Sequence, residues 1–205
     1  MAKIEKMSLT MASLKELSVW VNFQHIPDME SPGSFKRVLI NPKTRKKVQN
    51  TNDNKRICGK FKEAESQYMV KRADGIGLMC TGYICGIVID NCVHCPNRKQ
   101  LAQDIMKLMG NTYVEFSPDG NSYHMIFNCN IFVIPKLYER LHPAYRTWNE
   151  RLGIKIFIPR MSEGYLPYTD NIVTKFPIED KTEELEFFMK RYMRKTEGIY
   201  SIMNL

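Results

Sequence analysis

Apolar and polar positions alternate in short blocks, and each block predicts one element. Residues 12–23 (ASLKELSVWVNF) join a helical turn to an apolar run around Val19, Trp20, Val21 and Phe23, and Pro27, Pro32 and Gly33 mark the turn that follows. Residues 35–40 read as a strand closed by Asn41-Pro42, and residues 43–56 as a loop rich in turn formers. Phe61, Ala64 and Tyr68 fall at helical spacing over residues 60–70. Two apolar runs, 75–80 and 83–89, are joined by Thr81-Gly82, which predicts a hairpin with a central strand as its second arm.

The second half continues the alternation. Residues 97–109 predict a helix with Leu101, Ile105 and Leu108 on one face and Gly110 as its stop. Residues 113–116 and 123–127 predict strands on either side of the turn Ser117-Pro118-Asp119-Gly120. In residues 136–152, Tyr138, Tyr145 and Trp148 interleave with Arg140, Arg146 and Arg151. That spacing reads as one helix face turned to the core, the rival being a strip that stacks bases. A closing amphipathic helix spans about residues 180–196, with Asp180 as cap and Leu185, Phe188, Met189 and Tyr192 as its apolar face. The interleaving predicts an α+β fold: a single domain over residues 1–205, with a mixed or antiparallel sheet core flanked by helices.

Charge sharpens this picture. The chain carries 30 Lys and Arg against 22 Asp and Glu, but residues 34–62 hold ten of those bases and only Asp53 as an acid. That segment is therefore +9 and everything else is −1. A local basic stripe asks for a local anionic partner, and nucleic acid is the first candidate. Its bases include Lys36, Arg37, Lys43, Arg45, Lys46, Lys47, Lys55 and Arg56. No run approaches the roughly 18–20 apolar residues of a membrane span. Thr10, Ser13, Lys15 and Glu16 break any leader-like apolar core, so the expectation is a cytoplasmic protein with no membrane partner.

Six cysteines, at 58, 80, 85, 92, 95 and 129, are then expected as reduced thiols. Cys92 and Cys95 have the CxxC spacing that places two thiolates on one zinc, and Cys80 and Cys85 would complete four ligands. Cys80 and Cys85 also sit in apolar runs where cysteine behaves as a small buried hydrophobe, which favours a protein without zinc.

Several blocks in order resemble a known family. Residues 14–23, 36–47 (KRVLINPKTRKK), Thr51 and 59–64 (GKFKEA), 75–78 (GIGL) with Thr81, 86–92 (GIVIDNC) and 113–124 (YVEFSPDGNSYH) are similar to successive motifs of the bifunctional DNA primase–polymerase (prim-pol) domain. That domain belongs to the archaeo-eukaryotic primase superfamily of phage and plasmid replication proteins. The likeness covers residues 14–127 and is thin beyond 130. It implies two acids at alternate positions of one strand holding Mg²⁺ or Mn²⁺, which position a triphosphate for in-line attack. It implies a phosphate-binding turn and histidine at Ser117, Gly120 and His124, and a later acid completing the metal cage. Implied partners are single-stranded or primer–template DNA and nucleoside triphosphates, with the basic loop along the template backbone.

This chain departs from the pattern at the metal positions. The first acid is Val88, the second is Asp90, the later acid matches Lys155, and the second glycine of the turn is Ser122. One carboxylate is a poor home for two cations. The leading expectation is thus a diverged protein that still binds nucleic acid or nucleotides, with catalysis impaired. One alternative is an active metal-dependent primase–polymerase using Asp90 and His124, with Glu115 as substitute acid. A second alternative is a protein-interaction factor acting on replication or host defence. His25, His94 and His142 have no constellation around them and read as structural.

Overall fold

Short turns fold the first part of the chain into β1 (Trp20–Pro27), β2 (Phe35–Ile40) and β3 (Lys47–Val48), which pair antiparallel in sequence order. The computed structural model describes residues 8–31, 33–49, 56–162 and 164–194. β4 (Gly75–Met79) returns along the other side of β1, with Trp20 opposite Leu78, and β10 (Tyr165–Tyr168) closes this sheet beside β4. Its order is β10-β4-β1-β2-β3.

The second sheet has the order β11-β6-β7-β5-β9-β8, again antiparallel at every described pairing. Its strands are β5 (Ile84–Ile89), β6 (Tyr113–Phe116), β7 (Tyr123–Asn128), β8 (Trp148–Asn149), β9 (Ile154–Phe157) and β11 (Ile172–Lys175). Helices α1 (Met11–Lys15), α2 (Phe61–Met69), α3 (Pro96–Met109), α4 (Ile134–Arg140) and α5 (Thr182–Tyr192) flank the sheets. The α+β class is as the sequence predicts. No helix among the described residues is long and apolar enough to cross a membrane.

Period-two alternation sorts the second sheet into two faces. Cys85, Ile87 and Ile89 of β5 pack with Met125, Phe127, Ile154 and Ile156 against α3 and α5. Ile84 and Val88 point the other way and join Trp20, Ile76, Leu78 and Leu166 in a layer shared with the first sheet. Gly86 lies between them, and a Cβ there would sit 2.5 Å from Leu166 Cδ1 and 3.3 Å from Cys80 Sγ. Glycine is what lets β10 approach β5.

Three local expectations change. The arms of the predicted hairpin over residues 75–89 do not pair: β4 and β5 bury every residue and each is interior to a different sheet. Thr81-Gly82 is therefore a crossing between sheets. Two strands apolar on both faces each need two neighbours and two covering layers, which a shared hairpin would not supply. Residues 136–152 are not one helix but the end of α4, a 3-10 turn at Pro143–Tyr145 and β8. Finally, α5 starts at Thr182, and Asp180 instead accepts from the Thr182 N–H (2.9 Å) and hydroxyl (2.5 Å).

Candidate functional site

The register of the second sheet aligns one residue from each of six strands. Ile172 pairs with Glu115, Glu115 with His124, His124 with Val88, Val88 with Lys155, and Lys155 with Trp148. Four of these carry the sequence expectations, and they form a cross-strand row on the face that looks toward the first sheet. Asp90 follows one step past β5. Its N–H donates to Gly153 O (2.7 Å), and its carbonyl accepts from Arg98 Nη1 (3.0 Å).

The polar members of the row divide into two groups. At the open end, Lys155 Nζ is 3.7 Å from Asp90 Oδ2 and 4.7 Å from the centroid of the Trp148 ring. Both ionic side chains are about one-third exposed, at 38% and 31%. Such a pair is worth about 1 kcal/mol at most, so its importance is chemical: the one acid of the expected metal pair already has a cation beside it.

At the closed end, His124 and Glu115 are both buried. His124 Nδ1 is 3.1 Å from Pro167 O; a carbonyl only accepts, so Nδ1 carries the proton. Burial pushes this imidazole down to about 4. Glu115 Oε1 accepts from Thr169 N–H (3.1 Å) and Oε2 from the Tyr113 hydroxyl (3.2 Å). Burial outweighs both bonds and pushes the carboxyl up to about 8. The 4.0 Å approach of His124 Nδ1 to Glu115 Oε1 is therefore a contact between two uncharged groups at neutral pH. Glu115 also stands two strands from β5, about 10 Å by strand spacing. The structure does not bring it to Asp90 as a substitute ligand.

The turn after β6 is organised around an anion of its own. The Ser117 hydroxyl donates to the Asp119 carboxylate and accepts from Ser122 N–H (2.9 Å), while Asn121 N–H also donates to Asp119 (3.2 Å). Ser117's hydroxyl holds the Asp119 carboxyl below its ordinary range. Gly120 takes the left-handed conformation (φ +73) that closes the turn. Ser117 and Gly120 thus shape a tight turn whose donors are taken up by the Asp119 carboxylate.

The four-cysteine set considered for zinc does not assemble. Cys92 is fully buried, and burial pushes its thiol up to about 11, whereas Cys95 begins α3 as its N-cap. Cys85 packs on the helix side of β5, where its Sγ lies 2.8 Å from Cys129 Sγ, and Cys80 belongs to the layer between the sheets. The four-ligand arrangement around Cys92 and Cys95 is not formed. Among the described residues, no group of three or more His, Cys, Asp or Glu could hold a metal ion.

The basic segment lies along the β2–β3 edge of the first sheet. Asn41 builds it: its Oδ1 accepts from Lys43 N–H (2.9 Å) and Thr44 N–H (3.0 Å), and its Nδ2 donates to Arg56 O (3.2 Å). Lys36, Lys43 and Lys60 lie near Asp28, Glu63 and Glu16. Among the described residues, Arg45, Lys46, Lys47 and Arg56 are exposed with no carboxylate in ion-pair range. Lys55 lies outside the described residues. Arg37 differs from the rest, because its guanidinium donates to His25 Nε2 (3.1 Å), lies 5.5 Å from the Phe23 ring and acts electrostatically on both Tyr165 and His124. It links the basic edge to the row.

No family model matches this chain. No curated protein matches it either.

Tyr113, Pro167, Thr169 and Asn41 hold the site in shape without standing out in the sequence. Tyr113 shares a strand face with Glu115 by period two, so that partnership has a sequence signal. Pro167 and Thr169 reach His124 and Glu115 across 43 and 54 residues, and no local pattern announces such contacts. Two of the histidines expected to be structural have local partners: His25 Nδ1 lies 3.5 Å from Asp74 Oδ2, and His142 accepts from Ala144 N–H (3.2 Å).

Proposed function

We propose that this chain is a prim-pol-like protein of a phage or mobile element, diverged at its metal site, that binds nucleic acid or nucleotide phosphates and does not carry out metal-dependent nucleotidyl transfer. The observation that carries this reading is the ammonium of Lys155 standing 3.7 Å from Asp90, with Val88 at the neighbouring register position. A divalent cation there would have to displace Lys155, and it would find one carboxylate where an octahedral oxygen shell needs more. Lys155, two strands from His124, and Arg37, which acts electrostatically on His124, instead offer positive charge, and phosphate oxygens are natural partners for both. The cations Arg45, Lys46, Lys47 and Arg56, with no carboxylate in ion-pair range among the described residues, extend that charge along the β2–β3 edge, where a nucleic-acid backbone would lie.

The test is a titration of single-stranded and duplex DNA at two salt concentrations, with the double variant Lys46→Glu/Lys47→Glu as control. The expected result is weaker binding by the variant and a log–log salt slope shallower by about two. A template-directed dNTP incorporation assay in Mg²⁺ or Mn²⁺ accompanies it. Incorporation by the wild-type protein that Asp90→Ala abolishes would overturn the reading.

A further inference from the structure

Beside the Glu115 end of the row, the ends of α1, α2, β4 and β10 line an unassigned cavity of about 400 Å³ that shares Thr169 with it. Its floor is rigid. Trp20, Phe61 and Tyr168 meet edge to face in all three combinations, with centroids 4.9, 5.1 and 5.4 Å apart. Edge-to-face packing locks the rings and turns the electron-rich faces of Phe61 and Tyr168 toward a positive group, at present Lys15.

The chain already shows what that floor prefers. The Lys15 ammonium sits 4.3 Å from the centroid of Phe61 and 5.1 Å from that of Tyr168, with Asp170 Oδ2 at 3.9 Å. Asp170 is itself fixed by the Tyr168 hydroxyl, which donates to its Oδ1 at 2.6 Å. One lysine does not balance the cavity, because Glu65 and Asp74 also line it. Asp74 uses only Oδ2, on the backbone N–H (2.6 Å) and ring (3.5 Å) of His25; among the described residues nothing donates to its Oδ1. Three acidic residues and one lysine line the cavity, so its lining carries two formal negative charges beside an aromatic wall.

We infer that this cavity is a binding site for an organic cation, an alkylammonium or guanidinium group, which enters beside Lys15 and is held by the Asp74 and Glu65 carboxylates and by the aromatic wall. The volume excludes a bulky ligand and suits a polyamine segment or a single arginine or lysine side chain. Those two sources share the chemistry and are separable by probe. Lys15 is the resident competitor, since it occupies the best cation position in the cavity.

The experiment is calorimetric titration of the full chain at fixed ionic strength with spermidine and, separately, with N-acetyl-arginine methylamide. Saturable one-to-one binding of either probe is expected, and the probe that binds identifies the source. Glu65→Gln/Asp74→Asn, which changes two exposed side chains and leaves the fold in place by circular dichroism, is expected to weaken binding about tenfold. Lys15→Met is expected to tighten it about fivefold or more by vacating the ring faces. Binding of neither probe at about 10 mM, binding unchanged in the double variant, or weaker binding by Lys15→Met would each overturn the inference.

Discussion

Glu115 and His124 make a prediction about stability that depends on their burial alone. Glu115 has its pKa raised from 4.5 to about 8 in the folded chain, so the folded state holds this proton more tightly than the unfolded state. Its contribution is fully present below the unfolded value and is lost as pH climbs toward 8. His124 is lowered from 6.5 to about 4, so the unfolded state binds its proton more readily. That contribution is present above 6.5 and is lost as pH falls toward 4. Between about pH 4.5 and 6.5 the two slopes oppose each other and nearly cancel, since each is worth about 1.4 kcal/mol per pH unit at full effect. Above 6.5 only Glu115 still changes, and stability should fall by roughly 1–2 kcal/mol by pH 8. Urea denaturation followed by tryptophan fluorescence at half-unit steps from pH 5 to 8 measures this directly. Glu115→Gln keeps an acceptor for Thr169 N–H and removes the titration. The variant should be flat from 6.5 to 8, and it should gain about 2 kcal/mol between 4.5 and 6.5 as His124 loses its counterweight. Every other titrating group is common to both proteins, so the difference curve isolates Glu115. A difference curve that is level from pH 6.5 to 8 would refute the assignment of a buried, protonated carboxyl.

Other perturbations probe the rest of the site. Val88→Asp/Lys155→Glu should acquire Mn²⁺ binding detectable by electron paramagnetic resonance while Val88→Asp alone does not, because Lys155 still occupies the approach to Asp90. Gly86→Ala should cost about 1–3 kcal/mol in chemical denaturation, because its Cβ would be driven against Leu166; pairing it with Leu166→Ala, which removes that contact, should give less than the sum of the two costs. Asn41→Ala removes no charge, yet it should destabilise by about 2 kcal/mol and weaken DNA binding by disordering the segment from Lys43 to Lys47.

The elements that a local pattern dictates were legible from the sequence. The helix ended by Gly110, the β6–β7 pair around the Ser117–Gly120 turn, and β2 closed by Asn41 all follow from residues a few positions apart. The partner of a fully apolar strand is not a local property. Nothing in residues 75–89 records that β4 pairs with β1 and β10 while β5 pairs with β7 and β9, and Thr81-Gly82 suits a hairpin as well as a crossing. The same limit applied to chemistry. His124 and Asp90 were visible as residue types, but the protonation of Glu115 depends on burial by strands far along the chain. The fate of the cysteines likewise turned on which face of β5 each neighbour joined.

Val88 gives the row its direction. It is 7% exposed and packs with Trp20, Ile126 and Leu166 in the layer between the sheets, so it contributes buried apolar area that an aspartate would not. An ionised carboxylate at this depth is stable only with a cation beside it. With valine here, Asp90 has no carboxylate neighbour on β5, and Lys155 of the adjoining strand lies within ion-pair range of it. Trp148, directly across from Lys155, then holds the ammonium over its ring. Val88→Asp alone should therefore set its carboxylate against Lys155 across the strand register and bind no Mn²⁺, whereas replacing Val88 and Lys155 together should yield a cation site.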